Sequence, residues 1–370
     1  MTSETPPGAE AGRPGLLAVD FGGPQGPDEL EPFLAELLTD VLPGPRWLRQ
    51  LLGPVAARRR APTVKPAYER IGWSPLVRTH LAQVEALTER LDRPELPVAS
   101  GMMFTPPTML QALRSLLEQD VDTLVVLPLF PHFSFATTNA AFTFLREAMV
   151  AEGVGDLPVA WIPAWFDHPL YIRALARTIR AGVDATPGEG PIHLLFSPHG
   201  LPVSWVTKRR DPYPNQIRET VRRAVAELGW TGPWHIGWQS RVGPVRWLEP
   251  STPQVLDDIA AVGAQRVTVV PVSFMSEHIE TLDEIDNEYA AHAIAAGIPH
   301  FGRAPTPGLD VDFIGALADI VHDALAHLDR HRCVRCLVPR DEAHRTQSRC
   351  LSCHFQTPGW QRLSALPQRT

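Results

Sequence analysis

The chain is 370 residues long and 44% hydrophobic, enough apolar side chain for one large or two ordinary domains and too much for a disordered or fibrous protein. Its 41 acidic and 34 basic residues give a net charge of −7, and no long Lys/Arg stripe follows any helical pattern, which speaks against nucleic acid as a partner. Charged residues, Pro or Gly interrupt every apolar stretch well short of 18 residues, which excludes a spanning helix and leaves peripheral membrane contact open.

Met1 to Pro14 lacks both a basic block and an apolar block, so it reads as a flexible leader (1–14) and not a signal peptide, with the cytoplasm as the expected location. Short apolar runs follow at Leu16 to Phe21, Leu96 to Phe104, Thr123 to Leu129, Pro158 to Ile162, Ile192 to Phe196, His235 to Gln239 and Arg266 to Val272. Each is too short for a helix, and most are rich in Val, Ile or Leu, so they are expected to be strands. Between them Leu30, Phe33, Leu34, Leu37 and Leu38, and later Ile217, Val221, Val225 and Leu228, fall on single helix faces. Such alternation predicts an α/β fold with parallel sheets covered on both faces. Two similar Rossmann-like halves facing a cleft are expected, an N-terminal domain over 15–165 and a C-terminal domain over 166–330 ending in a helix from Val311 to Leu328.

The segments least like strand or helix come directly after the strand runs: Gly22-Gly23-Pro24, Phe130 to Thr138, Ser197 to Gly200, Gln239 to Pro244 and Ser273 to Glu280. Ligands of open α/β sheets bind outside the carboxyl ends of strands, so these loops are expected to line one site. Glu280, Glu284 and Glu288 recur every four residues, which puts three carboxylates on one helix face, a repulsive row unless it is solvated or carries cations or protons. An isolated row of this kind is ordinarily a wet surface with Ile279, Leu282 and Ile285 turned inward. His278, two residues before Glu280 and soon after a strand, turns the reading toward a site. His199, fixed between Pro198 and Gly200, suits a base or metal ligand and equally a structural histidine. Trp161, Trp165, Phe166, Trp205, Trp238 and Trp247, with Phe130, Phe133 and Phe135, read mostly as core, although a large flat apolar ligand would want several of them.

Taken in order, the motifs resemble those of the ferrochelatases, which insert ferrous iron into a porphyrin in heme synthesis. They are Leu17 to Pro24, Tyr68-Glu69-Arg70-Ile71-Gly72-Trp73-Ser74-Pro75-Leu76, Leu127 to Ser134 with Thr137-Thr138, Phe196 to Pro202 with Asp211-Pro212-Tyr213-Pro214, Gln239 to Pro244 with Trp247-Leu248, and His278-Ile279-Glu280-Thr281-Leu282. They span about Leu16 to Leu328, and so many in sequence are not a chance collection. The resemblance implies two Rossmann-like domains around a porphyrin cleft and the insertion of Fe2+ into protoporphyrin IX with release of two protons. By motif, His199 resembles the active-site histidine and Glu280 the acid facing it across the macrocycle, both serving also as transient iron ligands. Glu284 and Glu288 resemble the path that continues from Glu280, while Phe21, Phe104, Ser134, Trp238 and His278 are expected against the porphyrin. His199 is preferred as proton acceptor, and the opposite polarity, with iron entering at His199, stays open.

The His278 to Leu282 helix and the Tyr68 to Leu76 segment look more like enzymes for protoporphyrin IX than for coproporphyrin III. Departures from the pattern are Met103-Phe104 in place of a common Arg-Tyr pair, Trp73 and Arg210 in place of glycines, Pro198 in place of alanine and Glu277 in place of aspartate. Porphyrin and ferrous iron are the implied partners, with a membrane surface or the preceding heme-pathway oxidase as further ones. Two rivals stand beside this reading: a non-catalytic tetrapyrrole or heme carrier, and a chelatase for cobalt or nickel.

All four cysteines lie in the tail over 331–370, as Cys333-x2-Cys336 and Cys350-x2-Cys353. Paired CxxC turns suit tetrahedral sulfur ligation, and from spacing alone a zinc ribbon is preferred. The resemblance favours a [2Fe-2S] cluster, since many ferrochelatases carry one on cysteines that include a C-terminal group. His331, His344 and His354 read as solvated neighbours.

Overall fold

The computed structural model of the chain describes residues 12–42, 44–241, 245–326 and 328. Strands β1 (Pro14–Asp20), β2 (Val98–Met102), β3 (Thr123–Pro128) and β4 (Val159–Trp161) form a parallel sheet in the order β2-β1-β3-β4. Strands β5 (His193–Phe196), β6 (Trp234–Ile236), β7 (Arg266–Val270) and β8 (His300–Arg303) form a second parallel sheet in the order β6-β5-β7-β8, which repeats the first. Leu16, Leu17, Ala18 and Val19 are all 0% exposed, because helices cover both faces. That double burial is why β1 reads as an unbroken apolar run.

The first sheet is dressed by α1 (Pro27–Val41), α2 (Arg46–Arg70), α3 (Leu76–Leu91), α4 (Met109–Leu117) and α5 (Thr138–Ala151). The second carries α6 (Pro169–Ala185), α7 (Val203–Lys208), α8 (Tyr213–Leu228), α9 (Thr252–Ala261), a π-helix (Glu280–Tyr289), α10 (Ala290–Ala296) and α11 (Val311–Ala326). Thr108 with Gln111, and Ser251 with Gln254, form capping boxes that start α4 and α9. At Gly53 a Cβ would sit 2.0 Å from Thr39 Oγ1, so α2 crosses α1 closely there.

One hydrophobic cluster joins both halves. Leu16, Ala18, Val125 and Leu127 of the first sheet, Leu194 and Phe196 of the second, Leu175 of α6, Leu87 of α3 and Phe313 and Leu317 of α11 all belong to it. A second cluster, with Leu17, Val19, Leu124 and Val126, lies under α1, α4 and α5. A third, with Leu195, Val267 and Val269, lies under α9, the π-helix and α10.

All seven expected strands form, with ends within a few residues; β6 starts and ends earlier than expected, at Trp234 and Ile236. β8 escaped the sequence reading because it is a half-buried edge strand of His, Phe, Gly and Arg with no apolar run. α2 escaped it because Pro54, Pro62 and Pro66 lie inside the helix, where the residue type argues for a break. The tail cysteines Cys333, Cys336, Cys350 and Cys353 and most of the leader lie outside the described residues.

Candidate active site

In each sheet the chain moves to one side of its first strand and then crosses to the other, so the switch points lie between β1 and β3 and between β5 and β7. Crevices at such points are where open α/β sheets bind ligands. Phe21 and Gly22 follow β1, Phe130 to Thr137 follow β3, His199 follows β5, and Glu280 follows β7.

His199 is held from several directions. Its backbone N–H donates to Ser273 Oγ at 3.3 Å, and the next residue, Gly200, donates to Gln239 O at 2.9 Å. A Cβ on Gly200 would lie 2.7 Å from that same oxygen, so glycine is required for the approach. Beneath the turn, buried Ser197 hydrogen-bonds Gln239 Oε1 at 2.9 Å and Thr252 Oγ1 at 2.8 Å.

The His199 ring then meets Glu280, with Nδ1 3.0 Å from Oε2. The two groups that the resemblance sets on either side of a macrocycle thus face one another directly at hydrogen-bond distance. Burial pulls the His199 pKa down, but the charge and hydrogen bond of Glu280, with Glu284 behind it, outweigh burial and raise it above the ordinary 6.5. Burial likewise pushes Glu280 up, and His199 and His278 overcome it, holding the carboxyl well below the usual range. Each partner thus favours the charged form of the other.

His278 completes the group. Its Nε2 lies 3.4 Å from Glu280 Oε2, its ring packs on Phe274 at 4.3 Å, and neither ring nitrogen completes a hydrogen bond among the described residues. Two imidazoles flank one carboxylate, the nitrogen and oxygen donor types that Fe2+ takes, although among the described residues they are not placed as a ready three-ligand metal site. Just before it, Glu277 accepts from Arg303 Nη1 at 3.0 Å, Thr306 N at 3.0 Å and Thr281 Oγ1 at 2.6 Å, which fixes the entry to the π-helix.

The helix expected over the glutamate row is a π-helix, with i→i+5 bonding. At roughly 4.4 residues per turn, residues four apart still share a face. Glu280 and Glu284 are half-buried and Glu288 is exposed, so the row runs from the cleft to the surface. Glu284 accepts from Ser240 N at 3.0 Å, from Ser240 Oγ, and from the hydroxyl of Tyr289 at 2.5 Å. Burial and the neighbouring Glu280 charge raise its pKa, against the pull of Ser240 and Tyr289. The other acids of the segment are neutralised: Arg303 takes Asp286 at 2.7 Å, and Arg70 takes Asp283 at 2.7 Å. Among the described residues no guanidinium pairs directly with Glu280, Glu284 or Glu288, although Arg70 lies close enough to Glu288 to feel its charge.

The N-terminal half supplies an apolar wall. Phe21 is half-buried and meets Phe104 edge-on at 4.6 Å. Phe104 is 5% exposed and enclosed by Phe21, Phe33 and Phe144, so it backs the wall and does not form its surface. Trp238, 3% exposed, belongs to the shared core. Ser134, 2% exposed, donates to Asp211 Oδ2 at 2.9 Å. Of the five residues expected against the porphyrin, Phe21 and His278 are half-buried, while Phe104, Ser134 and Trp238 are buried behind them. Ser134 is part of a seam between the halves. Phe133 N donates to Gln216 Oε1 at 2.7 Å, and His132, which burial pulls down to about 3, bonds Thr220 at 2.9 Å.

The sequence reading missed Ser240, Tyr289, Tyr68, Arg70 and Arg303. Ser240, Tyr68 and Arg70 lay inside quoted motifs without a role. Tyr289 stands five residues after Glu284, a spacing that points away from it on an α-helix and toward it on a π-helix.

Among known proteins, the family model for ferrochelatase matches residues 13–325. The chain is 40% identical over 321 residues to a ferrochelatase of Nostoc sp., covering 85% of this chain and 83% of that one. It is 37% identical over 315 residues to a ferrochelatase of Geotalea uraniireducens, covering 84% of this chain and 98% of that one. The structure of SirB from Bacillus subtilis with Fe3+ aligns with a TM-score of 0.51 at 11% identity, over 86% of this chain and 97% of that one, a likeness of fold. Two parallel four-stranded sheets in one order, a histidine–glutamate pair at the second switch point and a family match across nearly all the described residues converge: the chain belongs to the ferrochelatase family.

Proposed function

We propose that the chain inserts Fe2+ into protoporphyrin IX, releasing the two pyrrole N–H protons and forming protoheme. Membership in a family of metal chelatases supports the reaction class, and the His199–Glu280 contact of 3.0 Å carries the reading of this site. Metallation exchanges two protons for one dication. At rest the proton between His199 and Glu280 occupies the position that a cation would take. Fe2+ held by Glu280 with His278 displaces it, and Glu284, with its raised pKa, can take a proton on toward exposed Glu288. His199, once neutral, accepts one pyrrole proton, and Glu280, freed as the iron passes to the macrocycle, accepts the second and hands it along Glu284 and Glu288 to solvent. The apolar wall at Phe21 favours a macrocycle with two propionates over one with four, since further carboxylates would be buried without partners.

Anaerobic incubation with Fe2+ and each porphyrin tests this. The heme spectrum should develop with a higher kcat/KM for protoporphyrin IX than for coproporphyrin III. The reverse order makes the protein a coproporphyrin enzyme, and binding without turnover makes it a carrier.

The protein is further proposed to rest against a membrane surface from the cytoplasm. On α2, Trp47, Leu51, Leu52 and Val55 are 64%, 65%, 46% and 46% exposed and fall along one helical stripe, followed by Arg58, Arg59 and Arg60. An apolar stripe beside arginines suits an anionic bilayer surface. No helix among the described residues is long and apolar enough to cross a membrane.

A further inference from the structure

The π-helix carries Glu280, Asp283, Glu284, Asp286 and Glu288 within ten residues, and such a helix is a rarely populated form of backbone. Arg303, with its side chain 13% exposed, bridges Glu277 and Asp286 from within the same half, a fixed clamp. Arg70 is different: it reaches from the last residue of α2, in the N-terminal half, to Asp283 near the middle of the π-helix. Its Nε lies 2.7 Å from Oδ1 and its Nη2 3.2 Å from Oδ2, a two-point contact of the kind only a guanidinium makes.

The two partners differ in exposure, 53% for the Arg70 side chain and 4% for Asp283. The buried acid stays with the helix, and the solvated guanidinium can let go. The base of the arginine is rigid. Gly72 and Trp73 follow at φ +70 and +71, and a bulky residue in the left-handed region is costly. Trp73 keeps it by donating its N–H to Tyr68 O at 2.8 Å and lying 6.0 Å from the Tyr68 ring at 12°. Tyr68 is itself buried and close enough to Glu280 to feel its charge. Without Arg70, Asp283 would keep Asn287 Nδ2 at 2.9 Å as its remaining side-chain donor, a poor match for a buried carboxylate.

We infer that Arg70 and Asp283 form a positioning latch across the cleft, holding the π-helix against the N-terminal half so that Glu280 and Glu284 keep their places at His199 and Ser240 when the halves close on substrate. The latch rests on the metallation reading above, and it acts through the acid row without touching substrate.

Arg70→Gln, Asp283→Asn and the double variant test it in the full chain, by metallation kinetics and by hydrogen exchange of the π-helix amides. Each single variant should lower kcat about tenfold with porphyrin KM within about twofold of the parent. The double variant should be no worse than the worse single one, since each breaks the same contact. π-helix amides should exchange faster in all three, and added KCl should lower the parent's kcat while leaving Arg70→Gln unchanged. A raised porphyrin KM at unchanged kcat would make Arg70 a substrate contact and overturn the latch. Multiplying losses in the double variant, or unchanged exchange, would overturn it as well. Exchange needs no turnover, so in a parent protein that fails to metallate, which defeats the functional reading, faster exchange in the variants still supports the latch and unchanged exchange still overturns it.

Discussion

Replacing Glu280 by Gln keeps the size of the side chain and removes its charge, which separates the chemistry of the site from its shape. The carboxylate sits 3.0 Å from His199 Nδ1 and 3.4 Å from His278 Nε2, and among the described residues no other acid is paired with either ring. Loss of a positioned acid–base group costs roughly 10²-fold or more in kcat, about 2.7 kcal/mol of barrier. Porphyrin affinity, read by fluorescence quenching, should hold because the apolar wall is untouched. The pH profile should change too. In the parent, His199 must lose its proton before it can accept another, so the acid limb of kcat/KM should lie above the ordinary imidazole value of 6.5. With Glu280 neutral, burial is left to act on His199 against distant Glu284 alone, and the limb should move to lower pH. Stability runs the other way. The raised His199 contributes fully below 6.5 and less as pH rises through its folded pKa, while the depressed Glu280 contributes above 4.5 and less as pH falls through its own. The pair thus holds the fold best in a window more acidic than the one in which it works. Near-parent turnover in Glu280→Gln, or an acid limb that stays in place, would refute the assignment.

Ser134→Ala should lower stability by about 1–2 kcal/mol, read as a denaturant midpoint, with porphyrin KM unchanged, because it removes a buried donor to Asp211 and not a ligand contact. A Trp47→Ser/Leu51→Ser variant should lose cosedimentation with vesicles containing anionic lipid while keeping turnover of soluble substrate; equal pelleting would remove α2 from the membrane. In the tail, Cys336→Ser should release a whole metal centre. Anaerobically purified protein that is red-brown with two irons per chain supports the [2Fe-2S] cluster that the resemblance implies, and a colourless one-zinc protein decides for the ribbon.

The strands and the residues at their ends were legible because double burial writes itself as apolar runs and because turns need Gly and Pro. Spacing alone set Glu280 and Glu284 on one helix face, whereas the approach of His199 to Glu280, 81 positions apart, was implied by the family resemblance and not by any periodicity. The burial of Ser134, Phe104 and Trp238 was not legible, since a motif shows which residues occur near a cleft and not which way they point. The Arg70–Asp283 pair spans 213 positions, a separation at which no periodicity links two charges. The contact of Tyr289 with Glu284 depends on a helix type that hydrophobic spacing does not report.

The shared core has a consequence for how the chain is made. Leu16 and Val125 of the first sheet complete their packing against Phe313 and Leu317 of α11, and α11 lies near the end of the described residues. At about 5–20 residues per second, the ribosome needs roughly 8–30 s after β4 before α11 has been synthesised. Through that interval the inner face of the first sheet is covered only in part, by α3, and the apolar surface that α11 completes is still open. The first half therefore depends on chaperone cover or on rapid completion of the second, and ribosomes stalled between β4 and α11 should present it as a protease-sensitive, aggregation-prone nascent chain.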